Sequence, residues 1–119
     1  MKKIYHLSTC DTCRRIIKQL NPPSSFVKQD IKLEEITINQ LEELRQLSGS
    51  YESLFSKRAK LYKERGLKNE VLDEAYYRNL LLEHYTFLKR PVIVNNKEIF
   101  IGNSKKTIEA ANESIQKNL

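Results

Sequence analysis

The sequence predicts an α/β fold: a mixed sheet of about four strands, ordered β-α-β and then β-β-α, with an all-helical insertion in the middle. Three observations predict it. A short apolar run, a helical pattern and a second short run occupy residues 4–31, which reads as a βαβ unit. Thr37 to His84 carries helical spacing and no convincing strand. Two β-branched runs then meet at a short polar turn and lead into a last helical pattern, which reads as a hairpin followed by a helix.

Taken in order, Ile4 to Ser8 is short and apolar, with lysines before it and polar residues after it, and is expected as the first strand. Thr9-Cys10-Asp11-Thr12 supplies a turn with helix-capping residues. Ile16, Ile17 and Leu20 recur at helical spacing, giving a helix from Asp11 to about Leu20. Asn21-Pro22-Pro23-Ser24-Ser25 ends it, because proline cannot continue a helix. Phe26-Val27 opens a second strand, expected to run to about Ile31. Thr37 is the expected N-cap of a helix carrying Leu41, Leu44 and Leu47, and Gly49 is its stop. Leu54 to about Gly66 and Leu72 to His84 give two further helical patterns, the second with Leu80, Leu81 and Leu82. Pro91-Val92-Ile93-Val94 and Lys97 to Ile101 are the hairpin strands, joined by a two-residue turn at Asn95-Asn96. Ser104 to Gln116 is the last helix. This order is that of the thioredoxin core, in one domain over residues 1–119, with a helical insertion at about 37–86.

A chain of 119 residues can bury a core without metals or disulfides. Its 39% hydrophobic residues are spread along the chain and its 30% charged residues mix both signs, which excludes a disordered polypeptide. The net charge of +6 is moderate and suits an anion or an acidic protein surface. No dense Lys/Arg stripe with interleaved aromatics is visible, so direct nucleic-acid binding is not expected. After Met1-Lys2-Lys3 the apolar stretch is only Ile4-Tyr5, which makes no signal peptide, and no run is long enough for a membrane span. A cytoplasmic location is therefore expected, where stable disulfides are rare. Two cysteines spaced C-x-x-C in such a chain read as redox-active or metal-binding.

Cys10-Asp11-Thr12-Cys13 falls where the first strand feeds the first helix. The opening turn of a helix has N–H groups without intrahelical partners, and these together with the helix dipole stabilise an anion, here a thiolate. A cysteine so placed has a lowered pKa and is the better nucleophile. Cys10 is expected to be the exposed attacking sulfur. Cys13, one turn deeper on the same face, is expected to resolve a mixed disulfide. Arg14 and Arg15 add positive potential, Thr12 tunes the local turn, and Asp11 opposes thiolate formation. The competing readings are two ordinary core cysteines, or a zinc site; one C-x-x-C supplies only two of four zinc ligands, and neither His6 nor His84 shows ligand spacing, so no metal is expected. His6 is read as packed or hydrogen-bonded, and His84 is given no role.

Ile4-Tyr5 leading into Cys10-Asp11-Thr12-Cys13-Arg14, then Phe55-Ser56-Lys57-Arg58-Ala59-Lys60-Leu61-Tyr62, Lys89-Arg90-Pro91-Val92-Ile93-Val94 and Gly102 are the segments of a known pattern. Through them, over nearly its whole length, the chain resembles the arsenate reductase (ArsC)/Spx family of thioredoxin-like proteins. The resemblance implies that Cys10 is the catalytic cysteine and Arg90 one of several arginines that hold an oxyanion. Arg58 matches the Spx-like members; the middle arginine of the arsenate reductases aligns nearer Ser56, and a third falls about where Asn103 stands. Many arsenate reductases of this type lack a second cysteine at the position of Cys13, whereas Spx-like members and related reductases can have one. Pro91 is the implied counterpart of the cis-proline that faces the active cysteines, and an X-Pro bond adopts cis at low cost. Apart from the family, the planar guanidinium of Arg90 suits an oxyanion and would lower a nearby thiol pKa. Arg58, set among Lys57, Lys60, Lys63 and Arg65, also reads as part of a solvated face, and Arg14 and Arg15 as helix-surface charges.

The resemblance implies a thiol-dependent oxidoreductase that reduces arsenate or a disulfide through Cys10, with Cys13 as resolving thiol. Arg90, Arg58 and Arg14 would bind the anion. No bound cofactor is expected; glutathione or another thiol, including a thiol protein, would supply electrons. The alternative it implies is a Spx-like redox-sensing regulator that binds RNA polymerase.

Overall fold

The computed structural model describes residues 1–117 and 119. Four strands, β1 (Lys2–His6), β2 (Val27–Asp30), β3 (Val92–Asn95) and β4 (Glu98–Ile101), form one sheet in the order β2-β1-β3-β4. β1 and β2 are parallel, with Ile4 opposite Lys28, and the β1–β3 and β3–β4 pairs are antiparallel, with Ile4 opposite Ile93 and Ile93 opposite Phe100. The helices are α1 (Asp11–Leu20), α2 (Ile38–Ser48), α3 (Lys60–Glu64), α4 (Glu74–Glu83) and α5 (Lys105–Lys117). This mixed sheet with its β-α-β and β-β-α halves is the expected α/β, thioredoxin-like fold.

The chain divides into two compact units, one of Met1–Glu34 with Arg90–Leu119, the other of Glu35–Lys89. In the first, α1 and α5 contribute Ile16, Leu20, Ile108 and Ile115 to a cluster with Ile4 and Ile93 of the two central strands. Side chains alternate across a strand, so Tyr5, Val92 and Val94 project from the opposite face, where each is fully buried. Helix α1 stops at Asn21, whose φ of 45° is the left-handed conformation that closes a helix, and whose N–H donates to Ile17. Pro22 follows and cannot continue it.

In the second unit, Thr37 and Gln40 form a reciprocal capping box at the start of α2, with both bonds at 3.0 Å. Gly49 (φ 93°) closes that helix. Asp73 caps α4 by accepting from the Tyr76 N–H at 2.9 Å. Phe55 lies among three rings, with centroids 4.9 Å from Tyr77, 5.2 Å from Phe87 and 5.9 Å from Tyr62.

Three boundaries differ from the sequence expectation. The helix expected over Leu54–Gly66 is confined to α3. Leu54 ends a short 3₁₀ turn, Phe55 is extended and bridges to Leu88, and Ser56 N–H donates to Phe87 O at 2.7 Å. Those tertiary bonds claim backbone groups that a helix would need. The hairpin turn is Asn96-Lys97, one residue later than expected, because Asn95 pairs with Glu98 in the ladder while Asn96 takes the left-handed φ of 60°. The first strand starts and stops earlier than Ile4–Ser8. Lys2 pairs with Asn95, and beyond His6 the chain turns, with Cys10 N–H donating to Leu7 O at 3.0 Å. Among the described residues, no helix is long and apolar enough to cross a membrane.

Candidate functional site

Strand β1 delivers the chain through Leu7-Ser8-Thr9 to Cys10, which is the N-cap of α1. Its backbone is extended (φ −93°, ψ 116°), and its carbonyl accepts the first helical bond, from Arg14 N–H at 3.1 Å. The N–H groups ahead of Arg14 are those a helix leaves without internal partners. An N-cap side chain is the usual acceptor for the second and third of them, here on Thr12 and Cys13. Cys10 makes no close side-chain cap bond as a thiol, and its anion is the stronger acceptor.

The ionisation of Cys10 follows from this placement. Partial burial works against the anion. It is outweighed by the Cys13 N–H, the Cys13 thiol, the Thr12 N–H and the charge of Arg90, so Cys10 lies below the ordinary thiol value. Cys13 is displaced the other way. It is fully buried, and burial pushes its thiol up to about 11, with the neighbouring Cys10 charge reinforcing that direction. The Leu7 N–H and Arg90 offset only part of the rise. The two sulfurs are not bonded to one another.

Arg90 reaches the cysteines from the far end of the chain. It immediately precedes β3, and the Arg90–Pro91 peptide bond is cis. Pro91 is buried, and its carbonyl accepts the Gly102 N–H at 2.9 Å, which ties the entrance of β3 to the exit of β4. Arg14 stands on α1 beside the motif, but its guanidinium pairs with the Asp11 carboxylate and donates to the Ser8 carbonyl at 3.3 Å. Both side chains are mostly exposed, so this pair is weak and yields readily to a competing anion. Arg58 belongs to the other unit, in an exposed turn just before α3.

Two residues of this neighbourhood were not singled out from the sequence. Asp30, the last residue of β2, accepts from the Ser8 hydroxyl and from the Ser8 N–H. Nothing local marks the pair; the parallel register of β1 and β2, which sets His6 opposite Asp30, brings them together. His6 is half-buried, and burial lowers its pKa more than the nearby Asp30 raises it. Among the described residues, no group of three or more His, Cys, Asp or Glu side chains is placed to hold a metal ion.

Comparison with known proteins bears on the same residues. Global transcriptional regulator Spx of Bacillus subtilis is 24% identical over 110 residues, covering 91% of this chain and 84% of that protein. An ArsC family related protein from Bacteroides fragilis superposes with a TM-score of 0.76 at 23% identity, over 92% of this chain and 97% of that one. An arsenate reductase from Vibrio cholerae superposes with a TM-score of 0.69 at 24% identity, over 99% and 97%. At these identities the structural likeness speaks for the fold. The model of the ArsC family matches residues 5–111, from within β1 to the middle of α5 and including both cysteines and Arg90, and this chain belongs to the ArsC family.

Proposed function

We propose that this protein is a thiol-dependent oxidoreductase in which Cys10 is the nucleophile, Cys13 the resolving thiol and Arg90 the group that binds the anionic part of the substrate. The observation that carries this reading is the placement of two thiols at one helix N-terminus, Cys10 partly exposed as the N-cap and Cys13 buried within the first turn, which displaces their ionisation in opposite directions. A thiol held low is available as the attacking thiolate, and a thiol held high keeps its proton until its neighbour has been consumed.

With a disulfide substrate, the Cys10 thiolate attacks one sulfur and the other leaves as a thiolate. Cys13 then loses its proton and attacks Cys10. The second half of the substrate leaves as a thiolate, and a Cys10–Cys13 disulfide remains. The substrate has gained two electrons and the cysteine pair has lost two. Glutathione or a thiol protein restores the pair by the same exchange. With arsenate, Cys10 replaces one oxygen on arsenic, which departs as water. A second thiol attacks the Cys10 sulfur, forming a disulfide and leaving two electrons on arsenic, now arsenite. Loss of the negative charge on Cys10 once it is bonded removes one of the influences that hold Cys13 protonated, so the resolving thiol is released in sequence. The cytoplasm is the compartment in which such a pair would be kept reduced.

The test is a reductase assay with arsenate and with disulfide substrates on the wild type, Cys10→Ser and Cys13→Ser. Cys10→Ser should abolish turnover; Cys13→Ser should spare the first step and stall or reroute the second. Full steady-state activity in Cys10→Ser overturns the mechanism.

A second reading is a redox-sensing regulator that binds RNA polymerase, with the same cysteine pair as its switch. The likeness to Spx over 91% of the chain favours it, as does the exposed turn carrying Lys57 and Arg58, which offers basic groups to an acidic partner. A pull-down with polymerase under oxidising and reducing conditions separates the two; no retention in either state removes the regulator.

A further inference from the structure

The segment that carries Cys10 into its N-cap position is held at one residue from two sides. Ser8 presents its hydroxyl and its N–H to Asp30 Oδ2, the latter at 3.3 Å. Its carbonyl accepts from Arg14 Nη1 at 3.3 Å. The backbone between them is short: Leu7 accepts from Cys10 N–H, and the Leu7 N–H is turned toward the Cys13 sulfur. A movement of Ser8 therefore displaces both cysteines relative to their donors.

Asp30 is in turn fixed. Lys32 N–H donates to its other carboxylate oxygen at 3.0 Å, and the Leu33 and Glu34 N–H groups donate to its backbone carbonyl at 3.1 and 2.8 Å. Ile31 N–H donates to His6 O at 3.0 Å, which extends the β1–β2 ladder to the point where Ser8 departs. The carboxylate thus stands at a strand end held by its own backbone bonds and reaches across to the strand-to-helix turn at Ser8.

We propose that Asp30 is a positioning residue for the Cys10–Cys13 pair, acting through its paired hydrogen bonds to Ser8. Burial opposes the Cys10 anion, and the groups that favour it are Cys13, Thr12 and Arg90, so Asp30 works through the backbone of Ser8–Cys10 and not through its own charge. The Ser8 hydroxyl, followed by the Lys32, Ser8 and Leu33 N–H groups, holds its carboxyl below the ordinary value, in keeping with an acceptor that stays ionised. The consequence for turnover rests on the reductase reading. The positioning itself is read on the thiol without any substrate.

The experiment measures the pH dependence of Cys10 alkylation in Ser8→Ala, Asp30→Ala and Asp30→Asn, with circular dichroism to confirm folding. Geometry and charge predict opposite signs. Removing a negative charge near a thiol should favour the thiolate; releasing the turn should cost the thiolate its donors. Ser8→Ala and Asp30→Ala should raise the ionisation midpoint of Cys10 and slow its labelling at neutral pH by about three- to ten-fold. Asp30→Asn, uncharged but still able to accept from Ser8, should label at a rate close to wild type. The double variant Ser8→Ala/Asp30→Ala should be no worse than Asp30→Ala alone, since removing Asp30 already removes both of its bonds to Ser8. Unchanged Cys10 ionisation in Ser8→Ala overturns the proposal, as does a downward midpoint in Asp30→Ala. If Asp30→Ala fails to fold, Ser8→Ala and Asp30→Asn decide the matter. A wild-type Cys10 that ionises like a free thiol would count against the reductase reading, whereas a Ser8→Ala variant indistinguishable from wild type counts only against the role of Asp30.

Discussion

The Cys13 thiol donates to the Cys10 sulfur, and that single contact favours the anion on one residue while disfavouring it on the other. Burial opposes ionisation at both, but at Cys10 the helix donors and Arg90 win, and at the fully buried Cys13 they do not. Limited alkylation at neutral pH, followed by peptide mapping, should label Cys10 and leave Cys13 unmodified. Cys13→Ala removes the donor thiol and should move the Cys10 midpoint upward. Equal labelling of the two cysteines would contradict this picture.

Arg90 favours the thiolate at both sulfurs. Arg90→Gln keeps a polar side chain and removes the charge. It should raise the Cys10 midpoint and slow labelling at neutral pH by about two- to ten-fold. The difference between variant and wild type should shrink in high salt, because screening weakens the Arg90–Cys10 attraction that only the wild type has. The measurement is the alkylation rate against pH at two ionic strengths; identical profiles for variant and wild type would remove Arg90 from the site.

The same displacements couple stability to pH. Cys13 is raised by burial from the ordinary 9.0 to about 11, so between those values the folded chain keeps a proton that the unfolded chain has lost. Stability from Cys13 is present in full below pH 9.0 and is lost as pH rises toward 11. Cys10 has the opposite sign: its folded value is lowered, so its contribution is present above the ordinary thiol range and is lost as pH falls through the folded value. Urea midpoints between neutral and strongly alkaline pH should fall more steeply in the wild type than in Cys13→Ala. A parallel fall in both proteins would refute the assignment.

Much of this arrangement was legible because its signals are local. Thr37 and Gln40 stand three residues apart and cap one another. Asn21 and Pro22 are adjacent and close α1. Cys10 and Cys13 take their places from the same helix start. The misread elements depend on partners far along the chain. Leu54–Ser56 looks helical until Phe87, Leu88 and Lys89 bond to its backbone. Asn95 reads as a turn residue, yet its side chain donates to the Ser114 hydroxyl at 2.9 Å inside the fold, which keeps it in the strand. Asp30 carries no local signal for the same reason: Ser8 meets it only once β1 and β2 are paired.

Gly102 occupies a position where backbone conformation alone sets the cost of a side chain. Its φ is 91°, in the left-handed region that residues with a Cβ rarely adopt, and a Cβ added there would meet nothing within 4 Å. Crowding therefore plays no part. Its N–H donates to Pro91 O at 2.9 Å, one step beyond the Val92–Ile101 pair, so the residue cannot relax to negative φ without disturbing the end of the ladder that carries Arg90. Gly102→Ala should destabilise the protein by about 1–2 kcal/mol, less the small gain from restricting the unfolded chain. Gly102→Asn should cost less, because asparagine tolerates this region better. Urea denaturation of the three proteins checks the order. A Gly102→Ala protein as stable as the wild type would show that the β4 exit adopts another backbone conformation in solution.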